Sequence, residues 1–116
     1  MATINPVPQE LIVGNAIYTW QLASGDDGSP IGVTGSGDRS AQVQGTFSGA
    51  TVLIEGTLDM QTWYTLRDPS GVNLSFTSAN LKAVLENVVA IRPRVTGGDV
   101  STAITALIAV RRDRNG

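Results

Sequence analysis

Between Gly45 and Gly71 the chain reads G-T-F-S-G-A-T-V-L-I-E-G-T-L-D-M-Q-T-W-Y-T-L-R-D-P-S-G, and this stretch restricts the fold more than any other. Two β-rich runs, Thr51 to Thr57 and Thr62 to Leu66, flank the tip Leu58-Asp59-Met60-Gln61. A short tip between such runs predicts a β-hairpin. Gly49 marks a turn before it. Asp68-Pro69-Ser70-Gly71 marks one after it, with the chemistry of a type I turn: Asp first, Pro presetting φ at the second position, Gly closing. Trp63, just past the tip, is expected to anchor the core or cap an interface.

The remaining chain repeats the same grammar. Ala16, Tyr18, Trp20 and Leu22 alternate with Ile17, Thr19 and Gln21, the period of a pleated strand. Ala41 to Phe47, Val72 to Phe76, Val89 to Val95 and Ile104 to Val110 alternate likewise, and Ile31 to Thr34 suits a short edge strand. Pro93 demotes its strand toward a sheet edge. Leu81, Val84, Leu85 and Val88 recur at helical spacing, and Thr77 or Ser78 could cap it, so one short helix is expected within Thr77 to Asn87. Gly, Pro, Asp and Ser clusters join these pieces. The reading is an all-β chain: an antiparallel β-sandwich or jelly roll of about 7–8 strands with one short helix.

At 116 residues this is one domain. A chain of that size buries roughly two-thirds of the surface exposed when unfolded. Residues 1–10, with Pro6 and Pro8, read as an extended N-terminal arm, and 11–116 as a single sandwich. The long glycine-rich region Ser24 to Asp38 reads as a loop of a length that is usually functional or disordered.

The chemical inventory is sparse. There is no cysteine and no histidine. That excludes disulfides and thiolate metal sites, and it removes the commonest general base. Lys82 has no Ser-x-x-Lys context and reads as a solvated side chain on the short helix. Glu55 and Glu86 read as surface or interface charges. Asp26, Asp27 and Asp38 lack the regular oxygen spacing of a calcium loop and read as turn residues. Gly32-Val33-Thr34-Gly35-Ser36-Gly37 lacks the Lys-Ser/Thr ending of a phosphate loop. No enzyme activity, cofactor or metal is expected.

Net charge is −2, too near zero to call for a nucleic-acid partner. Arg111, Arg112 and Arg114 form a basic end, either solvated or a phosphate contact. The start of the chain lacks a basic region followed by a long apolar run, and no apolar stretch approaches about 18 residues, so neither a leader nor a membrane span is expected. Arginine outnumbers lysine seven to one. Its planar fork is favoured at protein interfaces, which leans toward a docking surface. Trp63 and Tyr64 are adjacent and face opposite sides of their strand; a sugar-stacking platform is the alternative use of such aromatics.

G-T-F-S-G-A-T-V-L-I-E-G-T-L-D, T-W-Y-T-L, D-P-S-G and L-S-F-T together resemble small virion proteins of tailed bacteriophages, in which G-T-F-G-G-A-T-V … G-S-x-D-G-x-x-W recurs. A-V-L-E-N-V-V-A-I-R-P-R-V-T-G-G, Ala83 to Gly98, is similar to the E-N … I-R-P-x-V-T-G-G segment of the same family. The resemblance covers about half the chain. It departs at the tip, where Met60 follows Asp59 in place of glycine, which leaves the turn type open. It implies a structural protein of the virion, made in the host cytoplasm. The expected role is a capsid cement or decoration protein on the outer surface of the major capsid protein shell, as a homo-oligomer (trimer or dimer). A neck, tail or spike component, or a carbohydrate-binding β-sandwich, is the alternative. Strand parity and turn composition put the contacts at Ile4, Pro6, Val7 and Pro8 in the arm, at the Ser24–Asp38 loop, and at Trp20, Tyr64, Arg92 and Arg94.

Overall fold

The computed structural model describes residues 2–12, 15–34 and 36–112. Its strands are β1 (Thr3–Ile4), β2 (Val7–Ile12), β3 (Asn15–Leu22), β4 (Asp27–Gly28), β5 (Ile31–Gly32), β6 (Ser36–Thr46), β7 (Ala50–Thr57), β8 (Tyr64–Thr65), β9 (Ser75–Phe76), β10 (Asn80–Ala83), β11 (Ala90–Gly97) and β12 (Ala103–Arg112). One sheet runs β1-β4-β11-β7-β8, with β5 on β11 and β9 on β7; the other runs β10-β6-β12-β3-β2. All pairings are antiparallel except β1 with β4. The two sheets pack as a sandwich around Trp20, Val43, Val52, Ile54, Leu74, Ile91, Ile104 and Ile108.

The backbone of the fold is one long antiparallel ribbon folded over on itself. β6 pairs with β12 from Arg112↔Ser36 to Ala103↔Thr46, and β7 pairs with β11 from Gly97↔Ala50 to Ala90↔Thr57. The chain therefore changes sheet twice at one corner, at Phe47–Gly49 and again at Gly98–Thr102. Gly98 has φ +89°, and a Cβ there would collide with Thr102 Oγ1 and touch Ala50. The buried Thr102 hydroxyl donates to the Phe47 carbonyl at 3.0 Å and accepts from the Asp99 N–H at 3.0 Å, tying both crossings together.

Pro93 does not sit at an edge. It lies opposite Ile54 in β11, with strands on both sides. The Ile54 N–H donates to Leu74 O and its carbonyl accepts from Leu66 N, so its polar groups point away from β11. The Pro93 nitrogen thus faces the other neighbour, and there the neighbouring strand is interrupted between β4 and β5. A missing donor meets a missing acceptor, so the expected penalty for a central proline is avoided.

The expected helix is also absent: among the described residues there is no helix. Asn80–Ala83 is β10, paired with β6. The helical spacing is split by burial, since Val84 is buried while Leu81 and Leu85 are exposed. β6 needs partners for its outer N–H and C=O groups, and β10 supplies them. The next residues bond to both sheets: Val84 N to Arg39 O, Leu85 N to Arg67 O and Val89 N to Thr57 O. Lys82 is not a helix residue but reaches Asp68 at 3.2 Å.

The Asp-Pro-Ser-Gly turn forms as expected, and the hairpin forms with its second strand shortened from Thr62–Leu66 to Tyr64–Thr65. Glu55 pairs with Thr65 and Gly56 with Tyr64. The Gly71 N–H donates to Asp68 O at 2.9 Å, and Asp68 Oδ1 takes the N–H groups of Ser70 and Val72.

Candidate docking surface

Register places a polar cluster on the outer face of the β1–β8 sheet. In β7 and β11, Val52, Ile54, Pro93 and Val95 point into the core, so Leu53, Glu55, Arg92 and Arg94 point outward. Glu55 lies opposite Arg92, and Leu53 opposite Arg94. Glu55 Oε1 accepts from Arg92 Nε at 3.0 Å and lies 3.0 Å from its Nη2; Arg94 Nε stands 3.5 Å from Oε2, a charge contact rather than a hydrogen bond. The Arg92 guanidinium lies 4.3 Å from the Trp63 ring centroid, a cation–π contact. One carboxylate is thus held between two guanidiniums. Asp27 lies across from Arg94, and Thr3 of the arm lies beyond Asp27.

A second feature lies at the hairpin end. Gly56 to Asp59, Thr62, Tyr64 to Leu66, Glu86 and Val88 line a cleft of about 370 Å³. Glu86 holds its rim by bonding the Arg67 N–H at 2.8 Å and Arg67 Nε at 2.7 Å. Burial pushes the Glu86 carboxyl up, but the two Arg67 hydrogen bonds outweigh it and leave it below the usual range. Behind the rim, the buried Arg39 donates through Nη2 to Glu86 O and to Asn87 Oδ1, both at 2.6 Å; burial lowers its pKa.

The residues expected to make contacts fall into three groups. Arg92 and Arg94 are brought together on Glu55, and Tyr64 is 69% exposed beside the cleft. Trp20 is a correction. It is 0% exposed, with its indole N–H donating to Ser29 O at 3.1 Å, so it packs the core and touches no partner. Its strand parity with Leu22 and Tyr18 already put it on the apolar face.

The arm is extended but does not stand free. Thr3–Ile4 pairs with β4, and Val7–Ile12 pairs with β3. Ile4 packs on the core and Pro6 is half-buried, while Val7 and Pro8 are exposed, Val7 on the outer face opposite Thr19. The Ser24–Asp38 region is likewise held as strand and turn: β4 and β5 pair with β11, and the buried Asp26 carboxylate accepts from Ala2 N at 3.1 Å and Ala23 N at 2.8 Å. Of the basic end, Arg111 pairs with Asp38, both exposed, and Arg114 lies outside the described residues.

Glu55, expected as a surface or interface charge, is buried. Its position opposite Arg92 follows only once the β7–β11 register is known. Trp63 is half-buried outside the core, beneath Arg92, and Tyr64 faces the opposite side, so the two aromatics do not form one stacking platform. Among the described residues no group of three His, Cys, Asp or Glu could hold a metal ion, and no helix is long and apolar enough to cross a membrane.

No family model matches the chain, and no curated protein matches it. Among solved structures it is similar to the SPBc2 prophage-derived protein YomS, at 11% identity and a TM-score of 0.62 over 88% of this chain and 98% of that one. It is also similar to a cupin domain from Bordetella pertussis Tohama I, at 12% identity and a TM-score of 0.50 over 97% and 95%. At these identities the likeness is one of fold: a small jelly-roll sandwich shared with a prophage protein and a cupin domain.

Proposed function

We propose that the chain is a non-enzymatic structural protein of a phage particle, a cement or decoration protein that binds the outer surface of the major capsid shell and stabilises it. The observation that carries this reading is the fold likeness to a prophage-derived protein along nearly the whole of both chains. The virion-protein motifs of Gly45 to Gly98 support it from the sequence side.

The physical requirement is modest. A protein that binds the assembled shell and not its separated subunits stabilises the shell by linkage. Many copies on one particle make weak individual contacts sufficient. The surface offers suitable groups. Arg92 and Arg94, held on Glu55, offer guanidinium groups to a carboxylate-bearing partner, and Val7 of the arm, opposite Thr19, faces outward on the other sheet.

The test is co-sedimentation with purified shells and, separately, purified tails of the phage that encodes the chain. Retention on shells, reduced by Val7→Asp or by Arg92→Glu, is the expected result. Retention on necks or tails alone would assign the chain to that part of the particle instead.

A further inference from the structure

The cleft of about 370 Å³ lies between the hairpin and the Glu86–Val88 segment. Tyr64, in its wall, is opposite Gly56 in the β7–β8 pair, and Gly56 has the inward parity of Ile54. Tyr64 is therefore on the sheet face that elsewhere carries the core, yet it is 69% exposed. The floor beside it is closed and apolar. A Cβ on Gly56 would stand 2.8 Å from Leu66 Cδ2 and 2.9 Å from Val88 Cγ2, so these two side chains meet over the glycine. Clefts for small molecules run to roughly 300–1,000 Å³, which puts this one at the lower end.

Two carboxylates border the cleft, and they are not equivalent. Glu86 is committed to Arg67, whose N–H donates to it at 2.8 Å and whose Nε donates at 2.7 Å. Asp59 pairs with no lysine or arginine among the described residues. Its hydrogen bonds from the N–H groups of Gln61 and Thr62, both at 2.8 Å, and from the Thr57 hydroxyl at 2.9 Å all fall on Oδ1 and leave Oδ2 open. The tip holds this carboxylate in place: the Asp59 and Met60 N–H groups donate to Thr57 Oγ1 at 3.2 and 3.0 Å, and Met60 turns the chain at φ +64°. Leu58 and Met60 on either side of it are exposed.

We propose that this cleft binds one organic cation of a partner protein, a lysine or arginine side chain whose stem lies on Leu66 and Val88 and whose charge meets Asp59 beside the Tyr64 ring. Charge selects this occupant. An anion is repelled by Asp59, and a neutral apolar group makes no use of Oδ2. A free diamine brings a second positive charge toward Arg67 at the rim. A lysine or arginine carries one charge, lays its methylenes on apolar surface while its head stays near water, and is attracted by an aromatic face. The inference does not rest on shell binding, and its test uses small probes alone.

The experiment is an amide NMR titration of the purified chain with Nα-acetyl-lysine N-methylamide and the corresponding arginine compound. The norleucine compound supplies a neutral stem, and putrescine supplies a free diamine. Both cations should shift the amides of Thr62, Tyr64 and Val88 and bind with Kd on the order of 1–10 mM, the range of a single exposed contact. The norleucine compound should bind about fivefold more weakly or worse. Asp59→Asn keeps a carbonyl for the N–H groups of the tip and removes the charge, so it should bring the lysine compound down to the level of norleucine. Tyr64→Ala, at an exposed position, should weaken both cations about threefold or more. Equal binding of the lysine and norleucine compounds to the wild type, shifts confined to other residues, a preference unchanged in Asp59→Asn, or putrescine binding more tightly than the lysine compound overturns the proposal. Should Asp59→Asn disturb the tip, the lysine–norleucine comparison in the wild type and the Tyr64→Ala result decide.

Discussion

Gly28 lies flat against the ring of Pro93: a Cβ on Gly28 would stand 2.5 Å from Pro93 Cδ and 2.6 Å from Cγ, and 3.0 Å from Trp20 Cδ1. Two rigid rings enclose a glycine where β4 meets the gap that accommodates Pro93. Neither ring can swing aside as the end of a flexible side chain would. Gly28→Ala should therefore destabilise the fold by about 2–3 kcal/mol through overpacking. Urea unfolding followed by Trp fluorescence measures it. A change below about 0.5 kcal/mol would show that the contact relaxes freely.

Among the described residues Glu55 is the carboxylate that pairs with both Arg92 and Arg94 on the outer face. Glu55→Gln keeps the shape and removes the charge, leaving two guanidiniums facing one another. Stripping one partner from a fully buried pair costs about 3–5 kcal/mol. Both arginines here are partly solvated, which reduces the expected loss to about 1–2 kcal/mol. A double-mutant cycle with Arg92→Ala should return a coupling of similar size.

Asp59 gives the tip a pH dependence. Its carboxyl is held down from 3.8 to about 2, first by the N–H of Thr62, then by the N–H of Gln61 and the Thr57 hydroxyl. A carboxyl that is more acidic in the folded state contributes its full stabilisation above its unfolded value and loses it as pH falls to the folded one. The turn should be intact at neutral pH and loosen between pH 3.8 and about 2. Amide chemical shifts of Gln61 and Thr62, followed by NMR during acid titration, should move together in that window. Asp59→Asn should abolish the transition.

The strands were legible wherever one face is buried and the other is not. Ala41, Val43, Ile104, Ala106 and Ile108 alternate in sequence and are all buried in the structure. The hairpin and the Asp68 turn were legible because local chemistry alone specifies them. Three readings failed for one reason: a periodic pattern does not say which strand lies next door. Leu81 and Leu85 match helical spacing, but the open side of β6 claims the Leu81 backbone for a sheet and the Leu85 N–H goes to Arg67 O. Pro93 signals an edge only if its neighbouring strand is continuous, and that strand is broken. Glu55 is a surface charge until register sets it opposite Arg92. Trp20 is different: its parity with Tyr18 and Leu22 places it on the apolar face, where the structure buries it. Leu58 and Met60 carried a local signal, two apolar residues in a hairpin tip around Asp59, though their exposure and the sign of φ at Met60 came only from the structure.

The measurement closest to the central claim is the disruption temperature of purified shells lacking this protein, recorded with and without saturating added chain. A cement protein should raise it by several degrees and saturate at a fixed number of copies per shell, as linkage to the assembled state requires. An unchanged disruption temperature, with no chain retained on the shells, would contradict the account.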